Sequence, residues 1–497
     1  METHFLHRTG PIFGLHGVVF HGEDARDVQK CVAPQQNNVF CDLYRFLSIF
    51  LFSSFIINAQ VIWQDVSENS IISSNERYII PATYKTYALD FETLVDYLGN
   101  APKEFSVDIS SGGLPFFLPM PNGQIHQFSI VESSLMPNNL AVKFPNIKSY
   151  VGQGVDDKTA TLRMSVDHNG FHAMVISTSG TVYIDPYSLN DTEYCISYYK
   201  KDFYATNSKV RDIECVLEKA INDHESDSMI PGQSGDVLRT YRTAIAATGE
   251  YTDFHGGTVE DGMAAINTSL NRVNQVFERE AAIRLILVEN NDEIIYTNST
   301  SDPYTNGNTG AMIDENQSNV DNVIGNGNYD IGHVFGKDSG GLASLGSVCN
   351  NSQKASGVTG GQFPVNDPFD IDYVCHEVGH QFGGNHTQNN SCERTSSAAY
   401  EPGSASTIMG YAGICSPNVQ NNSDDYFHAV NLQEISTFIT SSGHTCASTT
   451  SLINNPPILA STNATGITIP ASTPFALSAI AIDPDSDTLT YCWEQID

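Results

Sequence analysis

The chain has 497 residues, with 57 acidic side chains against 24 basic ones and a formal net charge of −33. Hydrophobic residues make up 40% of it, and its length allows two or three domains with ordinary cores. A surface this acidic repels nucleic acid and anionic membrane, which argues against both as partners, and no internal repeat of roughly 20–50 residues points to a solenoid.

In chain order, the first feature is a largely apolar run of 12 residues, Phe46–Ile57, preceded by Arg45 and followed by Asn58, Ala59 and Gln60. That is the grammar of an export signal, with cleavage expected next to Ala59 or Gln60, and the run is too short to span a membrane. Residues 1–42 precede the usual start of such a signal and are set aside from the fold expectation. An N-terminal membrane anchor is the competing reading. Export predicts a secreted, extracellular or cell-surface protein with no stable membrane insertion once residues 1–59 are removed. It also predicts that some of the ten cysteines form disulfides.

Residues 60–235 read as β-rich. Thr159–Val166, Gly170–Ile176 and Gly180–Ile184 carry β-branched residues between turn signals such as Asn122-Gly123 and Asn169-Gly170. Asp223–Ser234 is polar and charged, the composition of an exposed linker.

Residues 236–447 change character. A strand is expected at Thr240–Thr248. Met263, Ile266, Leu270, Val273 and Phe277 then recur at helical spacing. Ile283–Val288, Asp330–Phe335 and Gly340–Ser344 are further strand candidates. This β-α-β order fits a twisted sheet with helices packed on it. His333, inside a strand-like segment, is read as structural.

The segment His376–His386 reads HEVGHQFGGNH, which matches HExxHxxGxxH. On a helix, Ile371, Val374, Cys375, Val378 and Phe382 form one apolar stripe. His376 and His380 lie one turn apart on the other side. Asp367 with Pro368 resembles an N-cap with proline at the first helical position, and Asp370 adds negative charge to the first turn. Gly383 ends the helix, so the chain can turn and bring His386 back. Three neutral imidazoles bind Zn²⁺ and leave a fourth position for water, the pattern of a catalytic site. Zinc lowers a water pKa toward about 7 and polarises a carbonyl. Glu377 is placed to act as general base. Downstream, Thr407–Tyr411 reads TIMGY. Met409 is expected beneath the histidines as a soft apolar base. Tyr411 either touches zinc or the oxyanion, or is an ordinary turn tyrosine.

These motifs carry a resemblance. Residues 236–447 resemble the catalytic domain of the reprolysin-like (adamalysin-type) metzincins, and more closely the secreted reprolysin-like metalloproteases of Bacteroidetes-type bacteria. The stretches Asp367–Thr387, Thr407–Val430 and Tyr329–Cys349 carry the likeness. It implies a twisted mixed sheet with an active-site helix and a methionine turn, and a zinc endopeptidase acting on proteins or peptides. It further implies that residues 60–235 are a β-rich propeptide that inhibits its own enzyme until cleaved. Cys215 is the candidate for a thiolate blocking the zinc, and a plain Cys195–Cys215 disulfide is the alternative. The resemblance pairs Cys349 with Cys446 and Cys392 with Cys415, which leaves Cys375 as a buried free thiol. Gly340–Ser344 becomes the cleft-edge strand that would hold an extended peptide, and the Cys415–His428 loop the wall of the S1′ pocket.

Two positions depart from the pattern. Reprolysins carry an aspartate after the third histidine, where Thr387 stands here, and Tyr411 sits at an astacin-like spacing. The branch of the metzincins therefore stays open. A catalytically silent zinc-binding adhesion protein is the alternative to an enzyme, and an exopeptidase or amidase on the same chemistry is a third reading.

Residues 448–497 shift to Ser, Thr, Asn and Pro. From Ile458 onward, short alternating segments around Asp483–Tyr491 resemble the opening strands of a cadherin- or fibronectin-like β-sandwich, of which only a part is present. Its aspartates either bind Ca²⁺ or form a plain acidic turn.

Overall fold

The computed structural model describes residues 4–9, 62–73, 75–203, 215–218, 235–338, 340–462 and 468–496. The expected signal at Phe46–Ile57 and the linker Asp223–Ser234 lie outside the described residues.

The β-rich region forms one nine-stranded antiparallel sheet. From edge to edge its strands are Trp63–Asp65, Lys85–Leu89, Tyr194–Tyr199, Gly180–Pro186, Gly170–Ser177, Thr161–Asp167, Lys148–Gly154, Ile125–Glu132 and Leu114–Pro119. The three strands read from composition fall within one or two residues of their observed bounds. Alternation puts Phe128, Leu162, Met164, Phe171 and Val175 on one core, closed by Leu94 and Leu98 of the Phe91–Leu98 helix.

The second sheet is mixed. Its order is Cys215–Glu218, Gly341–Ser344, Gly357–Gly360, Ile331–Gly336, Val237–Ala247, Ile283–Leu287, with Ser448–Ser451 also pairing with Val237–Ala247. Only two of its pairings are antiparallel, Gly341–Ser344 with Gly357–Gly360 and Val237–Ala247 with Ser448–Ser451. Gly341–Ser344 is therefore not an edge. A strand from the β-rich side of the chain pairs with it in parallel, Cys215 opposite Gly341. Spacing around the motif carries no trace of a partner more than a hundred residues upstream.

The long helix Val259–Ala281 joins the two sheets. Twenty of its 23 residues are buried. Met263, Ile266, Leu270, Val273 and Phe277 enter the same apolar cluster as Ile371, Val374 and Val378 of the metal-binding segment. The other face is polar and meets the nine-stranded sheet. Arg163 reaches Asn271 at 2.9 Å and Glu278 at 2.6 Å, and Ser149 donates to Asn267 at 3.1 Å. Arg272 bonds Asp185 of that sheet and, at 2.9 Å, Asp370. Capping fixes where the helix starts: Thr258 and Asp261 exchange hydrogen bonds at its N-terminus.

Among the described residues two disulfides form, Cys349–Cys446 and Cys392–Cys415, as the resemblance implied. Cys375 is a buried free thiol. Cys195 is also free, buried on Tyr194–Tyr199, so the alternative Cys195–Cys215 disulfide is not formed.

After the C-terminal helix Ala429–Ile439 and the Ser448–Ser451 strand, the chain makes a two-stranded sheet, Ile458–Thr462 with Ala479–Ile482. Thr488–Trp493 pairs with the N-terminal His4–Thr9, a segment set aside from the fold expectation. The aspartate-rich stretch is an acidic turn: Asp483 accepts backbone N–H groups of Asp485 and Asp487, and Asp485 accepts from Asn455.

Candidate metal centre

The motif's helix differs from a uniform α-helix. Pro368–Cys375 is wound with π geometry and only His376–Gln381 is α-helical. The apolar stripe is buried all the same, because Ile371, Val374, Cys375, Val378 and Phe382 all face the common core. Pro368 stands at the helix start as expected, but Asp367 is not a cap. Its backbone is already helical and its side chain bonds no helix N–H. The carboxylate instead accepts from Tyr183 at 2.5 Å and from Lys200 at 3.0 Å, both in the β-rich region.

Gly383 adopts φ +93°, the left-handed turn that lets the chain reverse after His380. The reversal brings the three imidazoles together. Their Nε2 atoms lie 3.1 Å (His376–His380), 3.0 Å (His380–His386) and 3.3 Å (His376–His386) apart. Among the described residues this is the one cluster of three or more His, Cys, Asp or Glu side chains whose ligand atoms converge.

The second nitrogens fix the tautomers. Each Nδ1 faces a backbone carbonyl: Ile408 for His376 at 2.7 Å, Gly384 for His380 at 2.7 Å and Glu393 for His386 at 2.9 Å. A carbonyl only accepts, so each Nδ1 carries the proton and each Nε2 presents a lone pair. Burial pushes His376 down to about 4 and His386 down to about 3, and it holds His380 well below the ordinary histidine range. Three neutral lone pairs at this separation repel one another, and a cation between them removes the repulsion. Tetrahedral zinc at about 2.0–2.1 Å from each nitrogen sets its ligands roughly 3.3–3.4 Å apart. The donor set fits zinc in number, charge state and spacing.

Glu377 is fully buried beside the histidines. Its carboxylate lies against the Cα of Gly341, so close that a Cβ there would sit 2.0 Å from Oε1. Met409 packs beneath the helix at Gly379, where a Cβ would fall 2.5 Å from its sulfur. The Tyr411 ring lies 4.6 Å from the His386 ring and 6.0 Å from the His376 ring, nearly buried. His333 is structural, bonded to Gln381 at 2.9 Å and Thr359 at 2.8 Å. Thus His376, Glu377, His380, His386, Met409 and Tyr411 gather in one place. Of Cys215, only the backbone pairing with Gly341 is described.

Sequence reasoning missed two carboxylates that grip the chain on either side of His386. Glu434, on the C-terminal helix, accepts from the backbone and side chain of Asn385 at 2.9 and 2.8 Å. Glu401 accepts the Thr387 hydroxyl at 2.6 Å. Asn431 and Glu434 at i,i+3 inside an apolar helix were the visible signal for the first; nothing local marks the second.

A buried trio of neutral imidazoles beside a glutamate defines a metallopeptidase centre. Residues 237–438 match the model of the metallo-peptidase family M12B, reprolysin-like. That segment is similar to reprolysin-like metallopeptidases, and with the three-histidine cluster the match supports a zinc metalloendopeptidase. The chain is also similar to metalloproteinase-II from Bacteroides fragilis, at 12% identity over 70% of this chain and 96% of that one, with a TM-score of 0.40. No curated protein matches it.

Proposed function

We propose that the protein is an exported zinc endopeptidase made in a latent form. The observation that carries the catalytic part is the convergence of three tautomer-fixed Nε2 atoms next to the buried Glu377. Bound zinc would supply Lewis-acid polarisation of the scissile carbonyl and acidify water. Glu377 takes a proton from the attacking water and hands it to the leaving amine. Tyr411, packed on the His386 ring, is on hand to steady the oxyanion. Met409 serves as the methionine turn, an apolar base on which His376 and His380 rest. The Cys415–His428 loop walls the S1′ pocket.

Latency is supported by the Cys215–Glu218 strand, which takes the side of Gly341–Ser344 that an extended substrate would use by strand addition. Residues 60–235 then act as a propeptide and inhibitor, 236–447 as the catalytic domain, and 448–497 as a linker and a β-sandwich-like segment. The Cys215 thiolate is the group to block the zinc.

The test uses the purified full chain before and after limited proteolysis, with a quenched peptide library and zinc analysis. Hydrolysis should appear on cleavage and vanish with a chelator. It should also vanish in Glu377→Ala with zinc retained. A wild-type protein that holds zinc yet cleaves nothing after maturation overturns the catalytic reading. Full activity before cleavage overturns latency. Cys215→Ser should raise the activity of the uncut chain if the thiolate blocks the zinc.

A further inference from the structure

The hydrogen bonds of Glu401 lead to two of the three histidines. The side chain is 7% exposed and gathers hydrogen bonds from two separate segments. One oxygen accepts the Thr387 hydroxyl at 2.6 Å and also the Thr407 hydroxyl. The other accepts the backbone N–H of Ser406 at 2.9 Å and of Thr407 at 3.1 Å. The main chain reinforces the same joint: Glu401 donates its N–H to the Thr387 carbonyl at 3.0 Å, and Thr387 donates to the Met409 carbonyl at 3.2 Å.

Both segments lead directly to ligands. Thr387 follows His386. Thr407 precedes Ile408, whose carbonyl holds the Nδ1 proton of His376. The relative position of these two imidazoles therefore depends on how residue 387 is tied to residues 406–408, and the carboxylate is the tie. An ionised carboxylate suits the job, because it accepts four or more hydrogen bonds with no donor of its own to satisfy.

We propose that Glu401 is a positioning residue of the metal centre, setting His386 and His376 relative to each other through Thr387 and through Thr407–Ile408. The proposal rests on the reading of the three imidazoles as zinc ligands. Partners that orient ligands in this indirect way typically govern metal affinity by about 10–100-fold.

The experiment uses the full chain, stripped of metal, and needs no catalysis. Zinc affinity is measured by competition with a chromophoric chelator, and ligand geometry by the visible spectrum of the Co²⁺-substituted protein. Glu401→Ala removes the tie and should weaken zinc binding by about tenfold or more with an altered cobalt spectrum. Glu401→Gln keeps the acceptor toward the two N–H groups and should restore most of both. Unchanged affinity and spectrum in a folded Glu401→Ala overturn the proposal. If that variant does not fold, Thr387→Val decides, since it deletes one hydroxyl and leaves the carboxylate's other bonds. It should weaken binding measurably, and wild-type affinity and spectrum in Thr387→Val overturn the proposal equally. A wild-type protein that takes up neither metal would instead overturn the ligand reading beneath it.

Discussion

The ammonium of Lys200 lies 3.0 Å from the carboxylate of Asp367, the residue just before the first turn of the metal-binding helix. Asp425 at 2.5 Å and Asp372 at 3.6 Å share the same ammonium. One cation, in the short helical turn that follows the Tyr194–Tyr199 strand, thus serves three carboxylates of the protease region. Burial opposes its charge, but the carboxylates of Asp367, Asp425 and Asp372 outweigh this and hold Lys200 well above the usual lysine range. Through this contact the start of the metal-binding helix and the 415–428 loop are fastened to one point of the β-rich region.

Lys200→Met should therefore loosen the two regions from each other. Removing one partner of a buried ion pair costs about 3–5 kcal/mol, because the other charges are left uncompensated. Urea unfolding of the full chain, followed by tryptophan and tyrosine fluorescence, should show a lower midpoint or a separate early transition. A curve that overlays wild type would show that the contact holds nothing together.

The same cluster predicts a pH dependence. Burial raises the Asp367 carboxyl to about 7; the Lys200 ammonium opposes the rise, and the neighbouring Asp425 and Asp372 carboxylates add to it. A carboxyl raised in the folded state binds its proton more readily there than in the unfolded chain, whose value is about 4. Its contribution is complete below that value and is lost as pH rises through about 7. Asp367→Asn mimics the protonated form. Relative to wild type, the variant should gain stability steadily between about pH 4 and 7. Parallel stability profiles across that window would exclude Asp367 as the titrating group.

Gly341→Ala tests the seat of Glu377. The added methyl would meet the Glu377 carboxylate at 2.0 Å and must push it aside. Displacing a catalytic group by an ångström can cost about 10²-fold in rate. The matured variant should keep its zinc and lose most of its peptidase activity. Near-normal turnover would mean that Glu377 need not rest there.

The two disulfides should differ in weight. Cys349–Cys446 closes a separation of 97 residues and Cys392–Cys415 one of 23. In the chain-entropy view the longer loop contributes about 4–5 kcal/mol and the shorter about 3. Paired serine replacements, compared by thermal melting, should give the larger drop for Cys349/Cys446. The reverse order would point to native-state effects around Tyr411.

The metal centre was legible because its information is local. His376, Glu377, His380, Gly383 and His386 lie within eleven residues, and i,i+4 geometry followed by one turn sets their arrangement. Strands such as Gly170–Ser177 were legible from alternation. The role of Asp367 was not, because its partners Tyr183 and Lys200 are 184 and 167 residues away and leave no periodic trace. The role of Thr387 was not legible either, because its hydroxyl bonds Glu401, 14 residues further on and outside the motif. The polar face of Val259–Ala281 had the composition of a solvated surface, and only the nine-stranded sheet lying over it shows why Arg272 and Glu278 are buried.

The pairing of Cys215–Glu218 with Gly341–Ser344 also sets a concentration scale. A peptide that would add to this edge has to displace a strand of the same molecule. A segment on the same chain competes at an effective concentration far above that of a dilute free peptide. Cutting the chain after residue 218 removes one of two tethers, and the strand remains joined to the β-rich region that Arg163, Arg272 and Lys200 hold on the protease region, so the competitor becomes dilute only when that region also comes away.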